Sequence, residues 1–478
     1  MRRLVIALVL VAACSNGQDP TLPAASEPST TTKSTTAAPT TTTTSTIPTT
    51  TIAGQPATAT CPAVPPRATP DPDRPTYQLD LTVDLANNVV DGREVVRFTP
   101  DVATDRLVFR LWPNGPRLSA AGARLDVDAV YLGSSAPVPI ERPDPTTLVV
   151  PLTDPLAAGE TIEATVPFRL TLPGAVSDRI SRRGDTVRLG TFHPLLAWEP
   201  GVGWATEPPN SLFAESTSAP VADWSMSVTV PDGLTVLATG ALADGRWTAT
   251  AVREVAIAIG RFRVVEGLAG APQPVPVTVA VEAGMPDDAN AYLDTAVHTL
   301  TDFGTRFGAY PFERYTLVLT PDLRGGIEYP AFVHQGSNTN ARTTSHEVGH
   351  QWFYALVGND QGRDPWLDEG LASWAEARYL NNLSTFTNRA IPADARGRAG
   401  EPMTFWDSHG DSYYRGVYVQ GAQAVAALGA PDQVDCALRQ HVARNAYGIA
   451  TNRSTIDALR TVFPDAEAVL ARFGIASR

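Results

Sequence analysis

Cysteine is scarce in this chain, with 3 in 478 residues, at positions 14, 61 and 436. That excludes a small scaffold stapled by many disulfides, and a 43% hydrophobic content instead suffices for the cores of two or three domains. Net positive charge is also lacking. A formal charge of -13 and a pI near 5.0 leave no phosphate-neutralising surface and argue against a nucleic-acid partner. The apolar run at the N-terminus, Leu4 to Val11, is too short to span a bilayer stably. No internal repeat is evident, so the chain does not read as a repeat array.

The first stretch that is present reads as targeting rather than fold. Arg2 and Arg3 precede the apolar run, and Val11-Ala12-Ala13-Cys14 resembles a bacterial lipoprotein signal cleaved before a lipid-modified cysteine. An ordinary secretory signal with an incidental cysteine is the alternative. Residues 30–51 are nearly all Thr, Ser, Pro and Ala, which cannot build a core and form an extended tether. The expected organisation is a signal peptide over 1–14 with Cys14 as the lipidation site, then a disordered tether over 15–70. Everything after it would sit at the outer face of a bacterial cell membrane or in the envelope, held through the lipid. Cys61 and Cys436 then remain: in an exported chain they either pair, clamping the start of the fold, or stay as two thiols with Cys436 buried on its helix.

Beyond the tether, Tyr77, Leu79, Leu81, Val83 and Leu85 alternate with polar residues, and Asp91-Gly92 reads as a turn into Val95, Val96 and Phe98. Similar runs at 107–111, 147–152 and 224–230 predict a mostly antiparallel N-terminal β domain over 71–268. Helical spacing begins near Asp287 and takes over after residue 343, inside a second domain over 269–478, so the fold class is α+β and multidomain.

Chemistry concentrates at His346-Glu347-Val348-Gly349-His350. With only 7 histidines in the chain, HExxH would arise by chance in about one such chain in two hundred. Residues four apart share a helix face, so both imidazoles can address one metal ion while Glu347 stands beside them. Glu369 follows in the run Trp366-Leu367-Asp368-Glu369-Gly370-Leu371-Ala372-Ser373-Trp374, which reads as a second helix with an acidic N-terminus. Two neutral imidazoles and one carboxylate make a three-ligand set with a fourth position left for water, the arrangement of catalytic zinc.

HEVGHQWFY over 346–354, WLDEGLASWAE over 366–376 and GGIEY over 325–329 resemble the zinc aminopeptidases of the aminopeptidase N and leukotriene hydrolase family, which are gluzincins. The resemblance implies one Zn2+ per chain on His346, His350 and Glu369, with Glu347 as general base, in a thermolysin-like catalytic domain behind the β domain. It also implies a tyrosine that stabilises the oxyanion. Tyr413-Tyr414-Arg415-Gly416-Val417-Tyr418-Val419-Gln420-Gly421 holds two Tyr-x-x-Gly frames; Tyr418, which opens a long apolar helix, is the choice and Tyr413 the runner-up. Gly325, Gly326 and Glu328 resemble the family's Gly-x-Met-Glu-Asn stretch, in which backbone binds substrate as an edge strand and the glutamate pairs with the substrate ammonium. Tyr329 departs from the Asn.

The implied function is removal of N-terminal residues from peptides with a free N-terminus. The alternatives are a non-proteolytic binding module on a retained zinc fold, and an endopeptidase with an open cleft, since the sequence ends where larger relatives continue into a helical domain. The β domain lacks a clear counterpart of the family's Arg-x-x-Phe-Pro-Cys-x-Asp stretch, which leaves the side-chain pocket unassigned; Glu207 and Glu215 are its candidate acids, with loop solvation as the alternative reading. His193, His298, His334, His409 and His441 have no ligand spacing and read as surface or structural.

Overall fold

A computed structural model describes residues 61–212 and 218–477. The signal peptide with Cys14, residues 15–60 of the tether and Glu215 lie outside the described residues. Among the described residues no helix is long and apolar enough to cross a membrane.

The alternation that begins at Tyr77 is a strand, Thr76–Asp84, which buries Tyr77, Leu79, Leu81 and Val83 on one face. It pairs antiparallel with Val89–Phe98 and parallel with Ala222–Thr229, and Val89–Phe98 pairs antiparallel with Ile162–Thr171. The hairpin turn lies at 85–88, where Asn88 adopts a left-handed φ of 60°, and not at Asp91-Gly92 as the sequence suggested. Gly92 is a strand residue for a different reason. A β-carbon there would collide with the tip of the Phe168 ring packed across the sheet, so a glycine that reads as a turn is a site of close approach. This sheet and two four-stranded ones close over a core that includes Leu79, Phe109, Val166, Leu189, Trp224 and Ile257. Each such side chain contributes about 1.5–3 kcal/mol by leaving water.

The second sheet has five strands in the order Phe262–Gly270, Pro274–Glu282, Tyr315–Thr320, Phe332–Gly336, Gly326–Tyr329. The expected domain boundary at residue 268 therefore falls inside a strand. Phe262 already pairs with Glu282, and the ladder runs unbroken to Gly270 opposite Pro274. The strand was indistinguishable from the β domain because its side chains are mostly exposed or half-buried, as in any edge strand. The helix Ala289–Phe307, capped by the Asp288 carboxylate accepting from the Asn290 amide, packs on this sheet through Tyr292, Ala296, Leu300 and Phe303. Helices then dominate from Ala341 onward.

The expected tether also ends early. Residues 61–70 lie on the second domain: Cys61 is disulfide-bonded to Cys436 with the α-carbons 5.8 Å apart, Gln440 Nε2 donates to the Pro62 and Ala63 carbonyls at 3.1 and 3.2 Å, and Ala68 N donates to Ala443 O at 2.9 Å. A Pro/Ala-rich composition hid this, because the segment is held largely by the disulfide and by hydrogen bonds between its backbone and the helix Pro431–Asn445. The disulfide closes a loop of 375 residues, so the unfolded chain loses much freedom to it. Replacing both cysteines by serine is expected to lower unfolding stability by about 2–4 kcal/mol, read as a lower urea midpoint with a steeper slope, because the uncrosslinked denatured chain exposes more surface; an unchanged midpoint would contradict the clamp.

One residue ties the β domain to the turn after the HExxH helix. Arg253 is buried, and its guanidinium donates to the carbonyls of Tyr354 at 2.9 Å, Ala219 at 2.9 Å and Gly448 at 2.9 Å. Burial lowers its pKa to about 10, so it stays charged at neutral pH. Gly358 has no room for a side chain because the guanidinium fills that space. The turn that follows the HExxH helix is thereby fixed from the neighbouring domain.

Candidate active site

The helix Ala341–Gly349 starts at Asn340, whose side chain accepts from the amides of Arg342 and Thr343, and His350 closes its last turn. His346 and His350 share one face, with ring centroids 4.7 Å apart and planes at 82°. Glu369 rises from the helix Trp366–Tyr379 to meet them: its Oε2 lies 3.0 Å from His346 Nε2 and 3.5 Å from His350 Nε2. The donor atoms of the three residues all lie within 4.8 Å of one another. The structure thus brings together the three expected ligands.

Carboxylates behind the imidazoles orient them, and sequence reasoning gave these no role. His350 Nδ1 is 2.6 Å from Asp368 Oδ1, whose Oδ2 accepts from Gln361 Nε2 at 2.7 Å. His346 Nδ1 is 3.3 Å from Glu376 Oε2, and Glu376 Oε1 accepts from Arg342 Nε at 2.6 Å. Such bonds fix the tautomer and leave both Nε2 atoms aimed at one point. The signal was present. Asp368 directly precedes Glu369, and Glu376 follows it by two helical turns, on the same helix face.

The tyrosine alternatives separate by position. Tyr418 donates to Glu369 Oε1 at 2.5 Å, and its ring lies nearly parallel to that of His346 with centroids 5.7 Å apart. Its chain forms a widened π-type turn, Arg415–Val419. Gly421 explains the second Tyr-x-x-Gly frame: a β-carbon there would lie 2.7 Å from the Gly370 α-carbon, so the two glycines let the Tyr418 helix press against the Glu369 helix. The other frame serves packing, since Gly416 makes room for Trp406, and Tyr413 sits edge-on to Trp406 and Tyr418.

On the opposite wall, Gly326–Tyr329 is the edge of the five-stranded sheet, paired among the described residues only with Phe332–Gly336. Gly326 lies so close to Glu347 that a β-carbon would collide with its carboxyl group, and Gly325, at φ 78°, occupies the left-handed region. Alternation turns Glu328 to the same side as Gly326, where its carboxylate falls within 4.8 Å of donor atoms of Glu347 and His350. Tyr329 points the other way and fills the space beside Gly190 of the β domain, which accounts for the departure from Asn at this position. His334 lies on that far face, buried among Tyr329 and Phe332 with burial holding its pKa well below the usual value, and has no place in the site. His193, paired with Glu94 at 2.8 Å, and His441 are likewise buried in cores. Glu207 stands near Asp360, and its carbonyl accepts from Arg110 at 3.0 Å.

Five buried carboxylates, those of Glu328, Glu347, Asp368, Glu369 and Glu376, surround two imidazoles. Burial raises the pKa of Glu347 to about 8 against the pull of both histidines. Burial works against charge on His346, yet hydrogen bonds to Glu369 and Glu376 outweigh it and raise its pKa to about 9. The cage therefore calls for positive charge, which a divalent cation on two imidazoles and a carboxylate would supply. The donor set fits zinc.

Residues 327–469 match the peptidase family M1 domain. The chain is 31% identical over 137 residues to Aminopeptidase M1-B of Oryza sativa subsp. japonica, covering 25% of this chain and 15% of that protein. It is 28% identical over 126 residues to Aminopeptidase N of Streptomyces lividans, covering 21% and 15%. The matched stretch thus spans only about 15% of these relatives' length. The fold is similar to that of the M1 zinc metallopeptidase from Deinococcus radiodurans, with a TM-score of 0.63 and 19% identity over 84% of this chain and 94% of that one. It is also similar to a mutant of that metallopeptidase bound to a Tyr-Ser-Ala substrate, with a TM-score of 0.64 and 19% identity over 85% and 95%.

Proposed function

We propose that this chain, whose residues 327–469 match the peptidase family M1 domain, is a zinc-dependent aminopeptidase that removes N-terminal residues from peptides. The observation that carries the reading is convergence: both histidine Nε2 atoms meet Glu369 Oε2, and Glu347, Glu328 and Tyr418 face the same space. The relatives' names and the peptide bound to the Deinococcus radiodurans neighbour support a short peptide as substrate.

When bound, zinc would polarise the scissile carbonyl and make water acidic enough to give up a proton near neutral pH. Glu347 takes that proton and returns it to the departing amine, a role that needs a carboxylate within one hydrogen bond of both. The Tyr418 hydroxyl, held at Glu369 in the resting site, donates to the carbonyl oxygen as it gains charge. Glu328 accepts from the substrate ammonium, and the open edge of Gly326–Tyr329 holds the substrate backbone in register.

The test compares aminoacyl fluorogenic substrates with their N-acetylated forms in wild type and Glu328→Ala. Wild type is expected to cleave only the free-amine form. Glu328→Ala is expected to lose roughly ten- to a hundredfold in kcat/KM on it, the worth of a hydrogen bond to a charged group. Equal cleavage of blocked and free substrate would favour an endopeptidase, and cleavage of neither with zinc bound would favour a binding module.

A further inference from the structure

We propose that Arg342 is a positioning residue that holds the oxyanion tyrosine, Tyr418, in register with the zinc ligands, one arm of its guanidinium serving His346 and the other the Tyr418 segment. The inference rests on the aminopeptidase reading and deepens it, adding a residue that touches neither metal nor substrate. Arg342 lies one helical turn before His346, so the two share a face of the helix Ala341–Gly349. Glu376, on the helix Trp366–Tyr379, divides its two oxygens between them: Oε1 accepts from Arg342 Nε at 2.6 Å, and Oε2 lies 3.3 Å from His346 Nδ1. Glu376 is buried, whereas Arg342 is partly open to solvent. A fully exposed pair of this kind would contribute little. Here the arginine fixes the rotation of a buried carboxylate whose other oxygen orients a metal ligand.

The second arm leads to the tyrosine. Arg342 Nη2 donates to the Tyr414 hydroxyl at 2.6 Å, and the Tyr414 ring packs on that of Tyr418 with centroids 5.1 Å apart. Tyr414 ends the helix Gly410–Tyr414, immediately before the π-type turn Arg415–Val419 that carries Tyr418. The guanidinium also stands 5.6 Å from the centroid of Phe386, which shares a small core with Val419 and Ala422, the neighbours of Tyr418 and Gly421. With Tyr418 bonded to Glu369, and Glu369 to His346, the chain of contacts through Glu376, Arg342 and Tyr414 closes on itself. A π-type turn is an irregular stretch of helix, so its tyrosine gains from a support outside its own backbone. A planar fork meets a carboxylate and a hydroxyl in two fixed directions at once, which an ammonium on a flexible stem does not. Misplacement of a reacting group by about 1 Å costs up to about a hundredfold in rate, so loss of the support is read in turnover.

The experiment measures zinc affinity of the full chain by competition with a chromophoric chelator. It then measures kcat and KM on a free-amine aminoacyl substrate at saturating zinc, in wild type, Arg342→Gln, Tyr414→Phe, the double variant and Tyr418→Phe. Arg342→Gln is expected to bind zinc about tenfold more weakly and, once saturated, to show a kcat about tenfold lower at nearly unchanged KM. Tyr414→Phe keeps the ring and removes the hydroxyl, so it is expected to lower kcat while zinc affinity stays native. The double variant is expected to lose no more kcat than Arg342→Gln, because both changes cut the same arm. A native zinc affinity or a native kcat in Arg342→Gln would overturn the proposal, and so would kcat losses that simply multiply in the double variant. Should Arg342→Gln fail to fold, judged by its melting curve, Tyr414→Phe decides: a lowered kcat at native zinc affinity supports the proposal and a native kcat overturns it. A Tyr418→Phe variant with native kcat would instead overturn the oxyanion role on which the inference rests, a failure distinct from an idle Arg342.

Discussion

Glu347→Gln is expected to take up zinc as the native chain does and to lose about 10³-fold in kcat, within the range that general acid-base groups supply. That loss corresponds to about 4 kcal/mol of transition-state stabilisation. Glutamine keeps the shape of the side chain, which is tightly enclosed against Gly326, so the site should not collapse. What it lacks is the ability to take a proton from water and pass it to the departing amine. KM should change little, because Glu347 acts on the reacting atoms rather than on the bound peptide. Gly326→Ala offers an independent probe: its added methyl group would displace the Glu347 carboxyl without altering its chemistry, and a comparable loss of kcat is expected. Steady-state kinetics with elemental analysis of zinc checks both. A Glu347→Gln variant with native turnover would remove the general base from the account.

Removal of zinc is expected to have the larger effect, with hydrolysis falling to background. The second consequence concerns stability. Asp368, Glu369, Glu376, Glu347 and Glu328 are buried around two imidazoles, and without a cation their mutual repulsion is relieved only by proton uptake. An ion that binds the folded chain and not the unfolded one stabilises it by about 2.7 kcal/mol at a free concentration of a hundred times its Kd. Chelation should therefore lower the melting temperature as well as abolish activity, and added zinc should restore both. Glu376→Gln should weaken zinc binding about 10- to 100-fold by freeing His346 Nδ1, while leaving all three ligands in place.

The sequence made the ligand set legible because a helix repeats its face every three to four residues, so HExxH places two imidazoles together by geometry alone. Glu369 followed from the start of the next helix, and Tyr418 was separable from Tyr413 only because one frame opens a long apolar helix. The structure adds the reason: Gly421 is the contact that lets this helix touch the one bearing Glu369. Other features were not local. Arg179 and Arg253 reach the centre from the β domain, and no periodicity links them to Glu328 or to the turn after His350. Gly92 looked like a turn because its lack of a side chain is the same whether the chain bends or Phe168 packs on it. The domain boundary was placed within a strand because an exposed edge strand carries the same alternation on either side of the junction. Residues 61–70 read as tether because their anchoring is by carbonyl groups, which composition does not register.

The proposed function requires one zinc ion at His346, His350 and Glu369. The direct measurement is the rate of cleavage of a free-amine aminoacyl substrate as zinc is titrated into chelator-stripped protein, alongside His346→Ala and Glu369→Ala. The expected result is a rate that rises in proportion to zinc and saturates at one equivalent per chain, with neither variant recovering activity over the same range. Hydrolysis that persists in the stripped protein, or that returns with zinc in the ligand variants, would contradict it.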